Sequence, residues 1–196
     1  MRLVVIDFMS LDGVVQAPGG PDEDSDGGFD HGGWSMPFFD GATMGAAIDE
    51  AMGSTDALLF GRRTWQAMAA AWPGRAGDPF ADRMNAIDKY VVSRSLTNED
   101  VTAWDNSALL PSDDVAGSVA SVKERIGGDL QVWGSAQLVR YLVGRDLVDI
   151  YRLMIEPVLL GGGKRIFPDD GIARTLRLES VTQAPTGVLI ATYARA

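Results

Sequence analysis

A short apolar run that passes directly into a helix-forming stretch constrains the fold more than any other feature of the sequence. Asp56 to Phe60 is long enough for a buried strand. Gly61 ends this run, and Thr64 to Ala71 has a helical composition. A strand followed at once by a helix indicates a sheet that is covered by helices.

The junction itself carries two arginines and a threonine: Arg62, Arg63 and Thr64. The start of a helix leaves backbone N–H groups unpaired and bears partial positive charge. Two guanidinium groups and a hydroxyl at such a corner suit a phosphate group. The alternative is that both arginines are solvated and that Thr64 only caps the helix. This stretch alone favours neither interpretation.

Composition limits the classes of protein to which the chain can belong. Its 196 residues, 46% hydrophobic and 22% charged, predict one globular domain over residues 1–196. No apolar run reaches the roughly 18 residues that span a membrane, and the N-terminus lacks the regions of a secretion signal. Cysteine is absent, which excludes thiolate zinc sites and fits a cytoplasmic enzyme. The net charge of −10 argues against a nucleic-acid surface.

Apolar runs and helical periodicity predict the remaining elements. Strands are predicted at 2–10, 56–60, 89–94, 129–133, 147–159, 176–182 and 188–193, the last two as a hairpin around 185–187. Helices are predicted at 37–52, 64–71, 115–126 and 138–143, and the stretch 75–88 as a loop with one helical turn. Strands that alternate with helices and end in a hairpin predict an α/β sandwich with a mostly parallel sheet and an antiparallel edge.

Small or polar residues lie at or just after the ends of four of the predicted strands: Asp12, Gly61 to Thr64, Ser93-Arg94 and Gly134 to Gln137. Parallel strands place such ends on one side of a sheet, where ligands bind. Two of these, like the corner at Gly61, also have a simpler explanation. Asp12 before Gly13 is also typical of a turn, and Ser93-Arg94 of a surface turn.

The segment 16–36 is rich in glycine and has little periodicity, as in lids, binding loops and disordered loops. Its three alternating aspartates, Asp22, Asp24 and Asp26, match the first half of a calcium loop. Gly33 stands where the bidentate glutamate should be. We therefore predict no metal site and a solvated, flexible loop.

Trp34 lies near the end of this segment, next to a glycine pair. It could fold over a flat substrate as a stacking wall, or it could fix the segment to the core. The second alternative is the more favoured. His31 is the only histidine of the chain, so a site with several histidine ligands is excluded.

An ordered set of motifs gives the chain a family resemblance. It resembles the dihydrofolate reductase superfamily, most strongly the reductase domain of bacterial bifunctional riboflavin-biosynthesis deaminase-reductases and its stand-alone relatives. The residues that carry the resemblance are Ser10 to Gly13, Gly61 to Trp65, Val91 to Arg94, Val132 to Leu138, Pro157 to Gly163 and Arg165 to Pro168. They extend over nearly the whole chain in the expected order.

The resemblance implies NADPH binding and hydride transfer to a small heteroaromatic or carbonyl-type substrate, such as a pteridine, a pyrimidine or a flavin precursor. It also implies a homodimer. Arg62 and Thr64 would bind phosphates, and Ser93 and Arg94 the 2′-phosphate of the adenosine. The residues expected to contact the cofactor are Val14, Val15, Gly61, Arg62, Arg63, Thr64, Ser93, Arg94, Trp133, Gly134, Ser135, Ala136 and Gln137.

Among these, residues 134–137 would wrap the pyrophosphate, and Val14 and Val15 would lie near the nicotinamide. This chain has Gly134-Ser135 where relatives often have two glycines. Asp12 and Trp34 would face the substrate, and Asp12 would be the catalytic residue, as an anchor or as a proton donor. Burial in a partly apolar cleft would raise the pKa of its carboxyl enough to help proton transfer. A non-catalytic nucleotide or flavin sensor on the same fold is the alternative function.

Overall fold

A computed structural model describes residues 1–75, 77–125 and 127–196. Ala76, in the predicted loop 75–88, and Ile126, at the end of a predicted helix, lie outside the described residues. The strands are β1 (Arg2–Ser10), β2 (Thr55–Gly61), β3 (Asp88–Val92), β4 (Ser107–Leu110), β5 (Asp129–Trp133), β6 (Ile150–Glu156), β7 (Leu176–Gln183) and β8 (Leu189–Arg195). The α-helices are α1 (Ala46–Gly53), α2 (Arg62–Ala71), α3 (Pro79–Ala86), α4 (Val115–Lys123) and α5 (Ala136–Val143).

The eight strands form one sheet in the order β4-β3-β2-β5-β1-β6-β8-β7. β1 to β6 are paired in parallel, and β8 is antiparallel to both β6 and β7. β7 therefore runs in the same direction as β6, and β8 is the one reversed strand. The predicted α/β fold with a mostly parallel sheet and an antiparallel C-terminal hairpin is confirmed.

The central strands are apolar on both faces because helices cover both sides of the sheet. Along β1, Leu3 and Val5 point into the cluster formed with α4 and α5. Val4 and Ile6 point the other way, into the cluster formed with α1, α2 and α3. The near-continuous apolar run of β1 follows from this two-sided burial.

Two elements depart from the sequence-based expectation. β4 was not predicted, because it is short and lies at the sheet edge, where its residues are only partly buried. The stretch predicted as a loop with one turn contains α3, which has two turns and begins with Pro79. Asp78 caps it by accepting the backbone N–H groups of Phe80 at 2.9 Å and Ala81 at 3.2 Å.

Two other boundaries also shift. The predicted helix 37–52 is a 3₁₀ turn (Met36–Phe38), followed by a π-helical turn (Gly41–Gly45) and α1. The predicted strand 147–159 is shortened to β6, which ends just before Pro157. Further 3₁₀ turns occupy Asp26–Gly28 and Asp100–Ala103. Among the described residues, none of the helices combines the length and the apolar character needed to cross a membrane.

Candidate active site

Two strand-to-helix corners, from β2 to α2 and from β5 to α5, are interlocked at the carboxyl edge of the sheet. The backbone N–H of Gly61 donates to Ser135 Oγ at 3.0 Å. The backbone N–H of Ser135 donates in return to Thr64 Oγ1 at 3.0 Å. The starts of α2 and α5 are thereby fixed side by side, and both present their first-turn N–H groups at this edge.

The second corner has a left-handed backbone at Gly134 and Ser135, with φ values of 58° and 59°. A Cβ at Gly134 would lie 3.3 Å from Thr64 Cγ2, so the close approach of the two corners requires a small residue there. Ser135 adopts this conformation despite its side chain, and its two hydrogen bonds across the corners offset the cost.

Ser93 and Arg94 follow β3 at the same edge, because Val92 pairs with Gly61 in the parallel register. The Ser93 hydroxyl accepts the N–H groups of Ser95 at 3.1 Å and of Leu96 at 3.0 Å. These bonds fix the turn and leave the Arg94 side chain exposed. The predicted phosphate-binding residues of three strands are thus brought to one edge, and their roles stay predictions.

The two arginines at the start of α2 have different partners. Arg62 Nη1 donates to Gln66 Oε1 at 3.2 Å, one turn along the helix. Arg63 instead forms ion pairs with Asp24 and Asp26 of the 16–36 segment. Of the two, Arg62 keeps its charge without a carboxylate partner among the described residues.

A groove of about 220 Å³ lies beside the start of α5, and sequence reasoning missed four of the six residues that line it. The predicted residues Ala136 and Gln137 form part of the lining. The others that carry charge, Arg140, Lys164 and Arg165, were not predicted as site residues. Lys164 and Arg165 follow the run of three glycines at 161–163, a stretch that carries part of the family resemblance.

The segment at Val14 and Val15 is joined to the stretch that follows this glycine run. Val14 forms an isolated antiparallel bridge with Arg165, and the backbone N–H of Val15 donates to the carbonyl oxygen of Lys164 at 2.9 Å. Both valine side chains are buried. Residues predicted to lie near a nicotinamide ring therefore sit beside the groove.

Asp12 is held as an ionised carboxylate. Its side chain accepts the Ser10 hydroxyl at 2.6 Å and the N–H groups of Leu160 at 3.1 Å and Gly161 at 2.8 Å. These bonds, the Ser10 hydroxyl first, lower the pKa of Asp12 to about 2. The expected rise of this pKa is therefore wrong, because hydrogen bonds to the charged form outweigh burial. Asp12 is an acceptor that ties the end of β1 to the glycine run.

Two other carboxyl groups have raised pKa values, and neither was predicted. Burial raises the pKa of Glu156 to about 7, against the hydrogen bond that Ser35 Oγ donates to Oε1 at 2.6 Å. Burial also raises the pKa of Asp7, against a hydrogen bond from the backbone of Gly134. Glu156 Oε2 and Asp7 Oδ2 are buried and have no hydrogen-bond partner among the described residues.

The 16–36 segment is not the freely solvated loop that was expected. Trp34 Nε1 donates to the carbonyl oxygen of Gln16 at 2.7 Å, and the ring is 8% exposed. Trp34 therefore fixes the segment to the core, the more favoured of its two predicted roles. Trp133, expected near the cofactor, is likewise buried, and its indole N–H donates to Gln131 Oε1 at 2.9 Å.

A larger cavity of about 460 Å³ is lined by Gln16, by residues 26–31 and, around the glycine run, by Leu160 and residues 162–164. This volume is within the range of small-molecule sites, roughly 300–1,000 Å³. Neither Asp12 nor Trp34 belongs to its described lining. Across 1–75, 77–125 and 127–196, no three His, Asp or Glu side chains are grouped so that they could hold a metal ion.

Comparison with known proteins shows the family to which the chain belongs. The family model of the RibD C-terminal domain matches residues 2–190, so the chain belongs to that family. The uncharacterised Bacillus subtilis (strain 168) protein YyaP is 30% identical over 157 residues, which cover 74% of this chain and 80% of YyaP.

Solved structures show the same fold at low identity. A Shewanella sp. PV-4 protein named for riboflavin biosynthesis matches with a TM-score of 0.66 and 18% identity, over 100% of this chain and 99% of that one. A pyrimidine reductase-like protein from Corynebacterium diphtheriae matches with a TM-score of 0.65 and 13% identity, over 100% and 92%. The predicted family is confirmed.

The glycine run offers a paired test of how the groove is built. Gly163 has a φ of 129°, and a Cβ there would lie 2.5 Å from Val14 Cγ1. We expect Gly163→Ala to lower the free energy of unfolding by about 2 kcal/mol, because the backbone is strained and Val14 must move. In Gly162→Ala, where the Cβ meets no atom within 4 Å, we expect a change within about 0.5 kcal/mol. Urea denaturation of both variants measures this, and equal losses would contradict the packing seen at Val14.

The raised pKa of Glu156 predicts a pH dependence of stability. The carboxyl of Glu156 keeps its proton up to about pH 7 in the folded state, whereas the unfolded chain releases this proton near the ordinary glutamate pKa of 4.5. The free energy of unfolding should therefore fall as the pH rises from 5 to 8, by roughly 2–3 kcal/mol from this group. Glu156→Gln should remove that part of the fall.

The exposed Glu50 gives a matched control, since Glu50→Gln makes the same chemical change at the surface of α1. Urea denaturation at pH 5 and pH 8 compares the two variants with the unchanged protein. The pKa of Asp7 is also raised, so this residue too makes the free energy of unfolding fall as the pH rises. In Glu156→Gln the dependence on pH is therefore reduced rather than abolished. If the dependence of the free energy of unfolding on pH is the same in Glu156→Gln as in the unchanged protein, the carboxyl of Glu156 is ionised in the folded state at neutral pH, and the prediction is wrong.

Proposed function

We propose that this protein is an NADPH-dependent reductase that transfers a hydride to a small heteroaromatic or carbonyl-type substrate. The observation that carries the proposal is the interlock of the two strand-to-helix corners, in which Gly61, Thr64 and Ser135 are joined by two hydrogen bonds of 3.0 Å. Adjacent helix starts supply backbone N–H groups and positive potential to one place, as a pyrophosphate requires.

The residues present fit a doubly phosphorylated nucleotide. The groove beside α5 is lined by three cationic side chains, and its lining begins at Ala136, two residues after the Gly134 turn, where a Cβ would crowd Thr64. In this proposal the pyrophosphate lies against 134–137 and Thr64, and the nicotinamide near Val14 and Val15. When bound, the cofactor supplies the hydride, so the chain itself has to bind, orient and exclude water.

The 2′-phosphate is assigned to Arg62, Ser93 and Arg94. The Arg94 guanidinium is exposed, and Arg62 has only Gln66 as a hydrogen-bond partner among the described residues. The Ser93 hydroxyl accepts two backbone N–H groups, so its own proton is free to donate apart from a contact of 3.5 Å with Ser95 Oγ. Charge-assisted bonds from two guanidinium groups would distinguish NADPH from NADH.

The proposed role of Asp12 is that of an anchor. Its ionised carboxylate positions the glycine run through the N–H groups of Leu160 and Gly161, and it cannot give up a proton at neutral pH. The cavity of about 460 Å³ beside that run is the proposed substrate space. Its volume suits one small ring system rather than an extended substrate.

One observation favours a non-catalytic nucleotide-binding protein as the second candidate. The carboxyl groups whose pKa values are raised, Asp7 and Glu156, are both buried, and the predicted catalytic carboxyl, Asp12, is ionised. Oxidation of NADPH in the presence of a panel of pteridines, pyrimidines and carbonyl compounds decides between the two candidates. Turnover of any of these substrates establishes the reductase, and tight NADPH binding without turnover supports the second candidate.

The 2′-phosphate assignment gives a specific prediction. We expect Arg62→Ala and Arg94→Ala each to weaken NADPH binding by about tenfold to a hundredfold, since a hydrogen bond to a charged group is worth roughly 1.5–3 kcal/mol. NADH binding should change little, because NADH lacks the phosphate. Each protein is titrated with NADPH and with NADH, and binding is monitored by the quenching of tryptophan fluorescence. These titrations give the ratio of the two dissociation constants.

Arg177→Ala is the control for the loss of one positive charge. Arg177 lies on β7, away from the carboxyl edge of β2, β3 and β5, and pairs with Glu179 at 3.0 Å. It should leave both affinities unchanged. Equal losses for NADPH and NADH in the two test variants would contradict the 2′-phosphate role. No NADPH binding to the unchanged protein at micromolar concentration would overturn the proposed function.

A further inference from the structure

Two aspartates of the 16–36 segment bridge cations that belong to two different elements of the candidate site. Lys164 Nζ lies 2.5 Å from Asp24 Oδ2 and 2.8 Å from Asp26 Oδ2. Arg63 forms an ion pair with Asp26, and its Nη1 is 4.0 Å from Asp24 Oδ1. Arg63 belongs to the first turn of α2, whereas Lys164 follows the glycine run. The acidic pair therefore connects the start of α2 to the wall of the groove.

The two carboxylates are held in place by the buried side chain of Gln16. Its Nε2 donates to the carbonyl oxygens of Asp24 and Asp26, both at 3.0 Å, and its Oε1 accepts the backbone N–H of Lys164 at 3.0 Å. Asp24 Oδ1 also accepts the backbone N–H of Asp26 at 3.1 Å. One amide thus fixes the backbone of the acidic turn and the backbone of its cationic partner.

Asp24 and Asp26 occupy Arg63 and Lys164, two cationic side chains that a bound phosphate would also need. Lys164 lines both the groove of about 220 Å³ and the cavity of about 460 Å³. Arg63 stands next to Thr64, at the corner assigned to the pyrophosphate. An approaching phosphate group and the two carboxylates require the same N–H donors, so they compete for them.

We propose that Asp24 and Asp26 form an acidic latch, which occupies Arg63 and Lys164 in the free protein and is displaced by the phosphate groups of the cofactor. The latch rests on the proposed function, because the competing anion is the pyrophosphate of NADPH. Cofactor binding then releases the acidic turn from the groove. The same movement alters the cavity proposed for the substrate, since Asp26 and Lys164 both line it.

The ion pairs of the latch are weak enough to be displaced. The Arg63 side chain is 58% exposed and that of Asp26 is 43% exposed, so water and salt screen their attraction. Lys164 and Asp24 are less exposed, at 22% and 25%, and form the firmer half of the latch. A latch of this strength delays or weakens binding without preventing it.

The test compares NADPH affinity with and without the latch charges. Asp24→Asn/Asp26→Asn keeps the size of both side chains but removes their charges. The side-chain oxygen of asparagine at position 24 can still accept the backbone N–H of residue 26. We expect this variant to bind NADPH about tenfold more tightly at low ionic strength, the effect of removing two weak ion pairs. At about 0.5 M salt the difference should shrink, because screening weakens the latch in the unchanged protein.

Asp22→Asn/Glu23→Gln is the matched control. It removes the same two negative charges from the same segment, but Asp22 and Glu23 form no ion pair with Arg63 or Lys164. Glu23 accepts the backbone N–H of Gly19 at 2.7 Å, which the oxygen of a glutamine can also do. We expect its NADPH affinity to stay within about twofold of the unchanged protein, since a longer-range change of net charge is screened.

Limited proteolysis supplies a readout that is independent of affinity. In the cofactor-free proteins, cleavage within residues 22–31 should be faster in Asp24→Asn/Asp26→Asn than in the control. Saturating NADPH should accelerate the same cleavage in the unchanged protein. Protection by NADPH would overturn the latch, because it would mean that the segment closes over the cofactor.

The outcomes separate the latch from the proposed function. If the unchanged protein binds NADPH and the latch variant binds it equally or more weakly, the latch is wrong and the proposed function stands. If none of the proteins binds NADPH, the proposed function fails, and the latch fails with it. Tighter NADPH binding in the latch variant alone, by a factor that shrinks at high salt, supports both the latch and the proposed function.

Discussion

The parallel pairing of β2 with β5 is the constraint on which the candidate site depends. The register aligns Leu58 with Gln131 and Leu59 with Val132, so both strands reach the same edge of the sheet within a few residues of each other. Each then turns into a helix, and the two helix starts meet at the Ser135 hydrogen bonds. An antiparallel partner would send one of these helix starts to the opposite edge.

Local charge, rather than the charge of the whole chain, decides what this edge can bind. The protein carries a net charge of −10, yet five cationic side chains gather around the two corners and the groove: Arg62, Arg63, Arg140, Lys164 and Arg165. The acidic turn at Asp24 and Asp26 neutralises part of this cluster. A protein of strongly negative charge can therefore gather cationic side chains at one groove, and the proposed latch would regulate access to it.

Three carboxyl groups near the ends of β1 and β6 show how environment, not residue type, sets the pKa. Asp12 accepts a hydroxyl and two N–H groups, which stabilise its charged form and lower its pKa. Glu156 and Asp7 are buried with an oxygen that lacks a partner among the described residues, and their pKa values are raised. Sequence reasoning placed Asp12 correctly at the end of β1, but it gave the wrong direction for its pKa, because it identified neither the Ser10 hydroxyl nor the N–H groups of Leu160 and Gly161 as donors to the carboxylate.

The sequence by itself determined seven of the eight strands, the mostly parallel sheet with its C-terminal hairpin and the corners at Gly61 and Gly134, because apolar runs and the glycines that end them act locally. It did not predict β4 or α3, whose local patterns are weak. Only the tertiary structure decided which groups face one another across the groove. Asp24 and Lys164 are 140 residues apart, and Gly61 and Ser135 are 74 apart. Such contacts depend on how the helices and loops pack around the sheet, and no periodicity within one segment encodes them.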